Sequence, residues 1–280
     1  MPEIRLASLD DVRSIQRRRN AGELEIRLAL ESAERQTAWI ARESEEVVGI
    51  AVAHDSDEER YVGDLFVEPS FRAQGIGTRL MDAAFDGVDL ARSMAVTPRD
   101  EASIALALRF GLAPREILLG YAGAIPREDE LARMAAGEYR FEVAEIDPDA
   151  HHFALDELDR QTRGTSRASD HPGFLRSSTG SAFFAAGECV AYAYVAPDGR
   201  VGPVACSAAA YMVQILAYAL VTLRRRHGAS WCTLLVPGTN RRIARAALRA
   251  GLRIVDSFVL AADAVHGDLS TYVGYHQLRL

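Results

Sequence analysis

The sequence predicts an α/β protein in which one unit is repeated twice. Three observations carry this reading. The length of 280 residues fits two domains at roughly 150 residues each. Strand-like runs of Val, Ile and aromatic residues alternate with amphipathic helical segments throughout. Four landmarks recur in the same order at near-constant offsets. Ile4-Arg-Leu-Ala-Ser-Leu-Asp-Asp resembles Phe141-Glu-Val-Ala-Glu-Ile-Asp-Pro at 137, and Val47-Val-Gly-Ile-Ala-Val-Ala resembles Cys189-Val-Ala-Tyr-Ala-Tyr-Val at 142. Val62-Gly-Asp-Leu resembles Val201-Gly-Pro-Val at 139, and Ala105-Leu-Ala-Leu-Arg-Phe-Gly-Leu resembles Arg245-Ala-Ala-Leu-Arg-Ala-Gly-Leu at 140.

In the first unit a strand at 3–7 precedes helices at 9–19 and 22–34, which the Asn20-Ala-Gly turn separates. Strands 37–42 and 47–54 flank the polar Glu43-Ser-Glu-Glu, a hairpin signal. A strand from Tyr61 to Val67 runs through Pro69 into a glycine-bearing loop and a helix at 75–86. Strand 92–97, helix 100–110 and strand 115–122 complete the unit. The polar stretch Ile125 to Gly137 reads as a linker or short helix, which puts the boundary near residue 135 and gives domains 1–135 and 136–280. The second unit repeats the order: strand 140–145, helix 148–160, hairpin 182–195, strand 200–206, helix 209–226, strand 230–236, helix 239–250 and strands over 252–262.

All 32 positively charged Lys and Arg positions are arginine, the imprint expected of a GC-rich coding sequence. Without lysine, Schiff-base, P-loop and protein-kinase chemistries are excluded. The formal charge of -7 leaves no cationic excess for a nucleic-acid backbone. The most apolar stretch, Tyr211 to Leu223, is about 13 residues, too short for a membrane span of about 20. No apolar leader precedes Ile4, and Cys189, Cys206 and Cys232 have no metal-site spacing, so reduced core thiols and a cytoplasmic location are expected. The His151-His152 pair has no third ligand near it in sequence, so no metal is expected. The runs Arg17-Arg18-Arg19 and Arg224-Arg225-Arg226 read as solvated helix ends, and Asp55, Asp57, Glu58 and Glu59 as a solvated acidic hairpin tip.

The most specific signal is Leu65-Phe-Val-Glu-Pro-Ser-Phe-Arg-Ala-Gln-Gly-Ile-Gly-Thr-Arg-Leu. Two glycines open a helix directly after a strand, where unpaired amides can hold a pyrophosphate. A Rossmann fingerprint would need a third glycine, and Leu80 stands there instead.

This segment resembles the GCN5-related N-acetyltransferase (GNAT) superfamily, whose signature is [Arg/Gln]-x-x-Gly-x-[Gly/Ala]; Arg72, Gly75 and Gly77 match its fixed positions. The whole chain resembles a tandem protein of that superfamily. The resemblance implies two domains, each a mixed, mostly antiparallel sheet flanked by helices, with acetyl-CoA as acyl donor and a small-molecule amine as acceptor. It further implies pantetheine pairing along Leu65, Phe66 and Val67, a pyrophosphate seat over Ala73, Gln74, Gly75, Ile76, Gly77 and Thr78 beside Arg72, a cofactor border at Asp100 and Ser103, and a Val67 amide facing the oxyanion.

The chain also departs from the family. Ala107 replaces the usual tyrosine acid, and Gly63 stands where many members carry a glutamate base. Tyr61 shares strand parity with Gly63 and is one candidate; Asp64 points the other way unless a bulge re-aims it, and is the second. In the second unit the signature positions have become Tyr211, Gln214 and Leu216, although Asn240 keeps the family's asparagine. That half is expected not to bind CoA in the ordinary way and to shape the acceptor pocket instead. The expected activity is direct N-acyl transfer by a monomer or homodimer; the alternative is a CoA-binding sensor or scaffold without turnover.

Overall fold

The chain enters at β1 (Glu3–Leu6) and turns at Ser8 into α1 (Leu9–Arg18). The Asp11 amide donates to the Ser8 hydroxyl while the Ser8 amide donates to the Asp11 carboxylate, a reciprocal cap that fixes the helix start. Next comes α2 (Glu23–Glu34). The strands β2 (Ala38–Glu43) and β3 (Glu46–Asp55) pair as the expected hairpin, with Ser44 at a positive φ of 55° in its tip. The first half continues with β4 (Glu59–Val67), α3 (Ile76–Phe85), β5 (Ala91–Val96), α4 (Glu101–Arg109) and β6 (Ala113–Ala124). The polar stretch before residue 137 forms a short helix, α5 (Glu128–Ala135), whose Leu131 is buried in the core of the second half.

The second half runs β7 (Glu142–Glu145), α6 (His152–Arg163), α7 (His171–Leu175), β8 (Thr179–Ala185), β9 (Glu188–Val195), β10 (Arg200–Cys206), α8 (Met212–His227), β11 (Trp231–Pro237), α9 (Arg241–Arg249), β12 (Arg253–Ala262) and β13 (Tyr272–Val273). This computed structural model describes every residue of the chain except Leu278. The order of elements matches the repeat; α7 and β13 were not anticipated.

All strands join one mixed sheet, ordered β1-β2-β3-β4-β5-β12-β6-β11-β10-β9-β8-β7, with β13 on β10. This order corrects the expectation that strand 115–122 completes the first half. β12 lies against β5, whereas β6 lies against β11, so each half receives its last strand from the other. The exchange is permitted because β6 and β12 occupy equivalent places in the repeat and pair with each other from Arg253–Ala122 to Ala262–Ala113.

Two faces of the first half matter for function. On one, α3 and α4 pack on β4 and β5 through Val62, Met81, Phe85 and Ala107. On the other, Tyr61 and Leu28 join a core with Phe174, Tyr192, Tyr194, Tyr272 and Tyr275 of the second half. The halves are therefore welded through a buried aromatic layer. All three cysteines are unpaired; Cys206 and Cys232 are buried as expected of core thiols, whereas Cys189 is only partly buried. Among the described residues no helix is long and apolar enough to cross a membrane, and no group of three or more potential ligands could hold a metal ion.

Candidate active site

The loop after β4 is shaped by two residues in the left-handed region, Ala73 at φ 61° and Gly75 at φ 76°. A Cβ at Gly75 would meet nothing within 4 Å, so glycine there answers the backbone angle and leaves the space above it open. Gly75 is the N-cap of α3, and no side chain caps the helix. The first amide to close an intrahelical bond is that of Arg79, to the Gly75 carbonyl at 3.1 Å. The amides of Ile76, Gly77 and Thr78 precede it and point out of the helix start, an arrangement suited to an anion.

These amides look into a cavity of about 430 Å³. Of the residues singled out in the sequence, Leu65, Phe66, Val67, Arg72, Ala73, Gly75, Ile76, Gly77, Thr78, Asp100 and Ser103 all line it. Gln74 is outside the lining set; its side chain donates to the Ser70 carbonyl at 3.4 Å. Asp100 caps α4 by accepting the Ser103 amide at 3.1 Å and the Ser103 hydroxyl at 2.6 Å. The Ser103 hydrogen bond, with a smaller contribution from Arg72, holds the Asp100 carboxyl below its ordinary pKa.

Strand β4 supplies the other wall. It pairs in parallel with β5 from Glu59–Ala91 to Val62–Met94, and there the pairing ends. Beyond that point the β5-facing edge of β4 is open. The Glu68 amide bonds the Val48 carbonyl on β3, so by the alternation of an antiparallel ladder the Val67 amide and carbonyl face the open edge. The Val67 carbonyl accepts Arg72 Nε at 3.0 Å, which folds the arginine over the cavity.

The register on β3 shifts between Val52–Asp64 and Ala53–Val62, so Gly63 is the extra residue of a bulge. The bulge brings Asp64 onto the same face as Tyr61, the condition on which its candidacy depended. Both side chains are occupied. Asp64 is only 9 % exposed and pairs with Arg19 Nη1 at 2.9 Å, with Gln16 Nε2 at 3.4 Å. Tyr61 donates to the Gln277 carbonyl, and burial pushes its hydroxyl pKa well above the usual value. Arg19 is thereby removed from the solvated helix end expected for it.

The acidic tip after β3 is only partly solvated: Asp57 is exposed and Glu58 half-exposed, but Glu59 is buried. Glu59 is 2 % exposed and bonds Arg163 Nη2 of α6 at 2.6 Å, together with the Ser93 hydroxyl. Burial opposes its ionisation, but Arg163 and His266 outweigh it and hold the carboxyl at about 2. Glu58 pairs with Arg160 at 2.7 Å, and Asp57 accepts the Ser169 amide at 3.0 Å. The tip is a seam between halves. Sequence spacing gives no sign of it, since Arg163, Arg160 and Ser169 each lie more than 100 residues from their partners in the tip. The same holds for His54, whose Nε2 lies 2.9 Å from Asp170 Oδ1, and for Arg279, which bonds the same oxygen at 2.5 Å.

The corresponding cleft of the second half is filled. Strands β10 and β11 pair at Arg200–Thr233 and Val201–Leu234 and then part. Into the gap comes β13, pairing Val273 with Val204 and Tyr272 with Ala205, while the Gly274 amide bonds the Leu235 carbonyl at 2.8 Å. At the start of α8, Gln214 donates to the carbonyls of Ala135 and Tyr139 at 3.0 and 3.3 Å, and Tyr139 and Phe141 pack edge-on against Tyr211. Asn240 caps α9 and donates to the Tyr272 carbonyl at 2.9 Å. Each feature that lines the open cavity of the first half holds the chain itself in the second.

Residues 6–112 match the sequence model of the acetyltransferase (GNAT) family. No curated protein sequence matches the chain. The fold resembles that of a candidate acetyltransferase from Pyrococcus horikoshii, with a TM-score of 0.73 and 16% identity, covering 100% of this chain and 96% of that one. It also resembles a GCN5-related N-acetyltransferase from Sphaerobacter thermophilus, at 0.64 and 17%, covering 96% and 98%. A tandem GNAT protein from the clavulanic acid biosynthesis pathway aligns at 0.60 and 16%, covering 94% and 98%. At these identities the likeness is one of fold.

Proposed function

We propose that the protein carries an acetyl group from acetyl-CoA directly to the amine of a small molecule, using the first half alone to hold the donor; the match of residues 6–112 to the acetyltransferase (GNAT) family model supports this reading. The observation that carries the reading is the continuity of the cavity: open helix amides at Ile76 to Thr78, Arg72 above them, and the unpaired edge of β4 at Leu65 and Val67.

In this reading the pyrophosphate sits on the α3 amides, and the pantetheine arm adds to β4 as a strand would. The Val67 amide stabilises the carbonyl oxygen as charge develops on it. Asp100 and Ser103 border the donor from α4. The acceptor approaches from the opposite face, between α2 and the second half. Positioning of the two reactants supplies much of the rate, which is why loss of the tyrosine at Ala107 does not preclude transfer.

Saturating acetyl-CoA is expected to raise the melting temperature and to bind at one molecule per chain by calorimetry. Gly75→Glu, which puts a carboxylate in the anion seat, is expected to remove the thermal shift. No shift in the wild type, or an unchanged shift in Gly75→Glu, defeats the proposal, and binding of acetyl-CoA with neither CoA release nor an acetylated amine restricts it to a donor-binding protein.

A further inference from the structure

Two cations line the donor cavity, and only one of them is engaged. Arg72 is tied through Nε to the Val67 carbonyl at 3.0 Å. Arg109 also lines the cavity, but it is exposed and, among the described residues, has neither a hydrogen bond nor an ion pair. The one carboxylate in the lining, Asp100, is not its partner. Asp100 caps α4 and Arg109 is the last residue of that helix, so the two lie about 13 Å apart along its axis.

Arg109 nevertheless stands beside the anion seat. A Cβ on Gly77 would lie 3.5 Å from Leu106 Cδ2, so α4 touches the start of α3 at the level of Leu106. Arg109 follows Leu106 by three residues, on the same face and about 4.5 Å farther along the helix. The strand edge lies toward the other end of α4: the Val67 carbonyl holds Arg72, whose charge is felt at Asp100. The cavity therefore offers a cation on each side of the α3 amides. Acetyl-CoA is divided in the same way, because its anionic charge is shared between a pyrophosphate and a phosphomonoester on the ribose 3′ oxygen. With the pantetheine arm running from the seat toward Val67, the ribose leaves it toward Arg109.

We propose that Arg109 recognises the ribose 3′-phosphate of the acyl donor and so selects acetyl-CoA over donors that lack this group. The inference rests on the donor-site reading above. A phosphomonoester carries nearly two negative charges at neutral pH and three acceptor oxygens, and a guanidinium can meet two of them with parallel N–H groups. The phosphate replaces water around an unpaired side chain, so no contact within the protein has to break. Arg249 is a built-in control. It is the last residue of α9 as Arg109 is of α4, it is exposed as well, and it belongs to the half whose cleft is filled.

The test is calorimetry at low salt with acetyl-CoA and its 3′-dephospho analogue. Wild type is expected to bind acetyl-CoA about fivefold more tightly than the analogue, the size of effect a solvent-exposed charge pair supplies. Arg109→Gln is expected to bring that ratio below about twofold by weakening acetyl-CoA alone, and Arg249→Gln to leave it unchanged. Arg109→Glu is expected to invert the preference. The melting temperature without ligand is expected to be the same in all four proteins, since Arg109 has no partner to lose. A wild-type ratio of one, a ratio that survives Arg109→Gln, or an equal response to Arg249→Gln overturns the assignment. So does an equal loss with both donors, which would put Arg109 on the adenine or the pyrophosphate. Binding of neither donor to wild type overturns the donor-site reading instead.

Discussion

The start of α3 and the start of α8 are the same place in a repeated unit, yet one is open and the other is closed by its own chain. At α3 the cap is Gly75 and the amides face a cavity; at α8 Gln214 has turned to hold the carbonyls of Ala135 and Tyr139. Beside α3 the β4–β5 gap is free, whereas beside α8 the β10–β11 gap contains β13. The difference shows that a splayed sheet is an unsatisfied backbone edge, which a ligand or a strand can complete. In the second half the strand is built in.

The hardest way to strain that comparison is to damage the plug. Tyr272 is fully buried between β10 and the aromatic layer, with its hydroxyl 2.8 Å from Arg167 Nη1. Tyr272→Ala is expected to destabilise the protein by about 4 kcal/mol, within the range for deleting a large buried aromatic side chain. Chemical denaturation measures it. Calorimetry on the same variant asks the sharper question, because acetyl-CoA is still expected to bind once per chain: Tyr211 and Gln214 remain where the cradle would be. A second binding event would mean that β13 alone keeps the second half closed.

Breaking the seam should have the next largest effect. Glu59→Gln leaves Arg163 buried without its carboxylate and is expected to cost about 3 kcal/mol at pH 7. The folded pKa of about 2 lies below the ordinary 4.5, so this pairing stabilises fully above pH 4.5 and is lost as pH falls toward 2. The gap in stability between wild type and variant is therefore expected to narrow over that window. A gap that stays constant down to pH 3 would show that the charge on Glu59 is not what joins the halves.

Local chemistry was legible in the sequence and long-range pairing was not. The repeat and the order of its elements follow from periodicity and glycine placement, and nearly all of the cavity lining follows from the family resemblance that a short motif carries. The exchange of β6 and β12 left no trace because the two strands are equivalent in the repeat, so either fits either place. Glu59 read as a loop acid, since nothing within its own segment discloses Arg163. Gly63 could be seen, but not that it would be the bulged residue that re-aims Asp64. His54 and Asp170 are 116 residues apart and share no motif.

The finest contrast between the halves lies at the caps of α4 and α9, where the first carries Asp100 and the second Asn240. Asn240 is buried and spends its side chain on Ile243 and Tyr272, so the neutral residue is structural there. Asp100 is exposed, ionised and close enough to Arg72 to feel its charge, at the border of the cavity where the proposed donor brings its phosphates. A carboxylate there opposes phosphate binding and draws on the field of Arg72, which would otherwise act on the ligand. Asp100→Asn removes the charge and keeps the cap, since asparagine accepts the Ser103 amide as well as aspartate does. Acetyl-CoA is therefore expected to bind two- to fivefold more tightly, on the order of 0.5–1 kcal/mol, with little change in melting temperature. The gain should shrink at high salt, because the site is open to solvent. An affinity unchanged at low salt would place the phosphates away from α4 and leave the α3 amides and Arg72 to hold them alone.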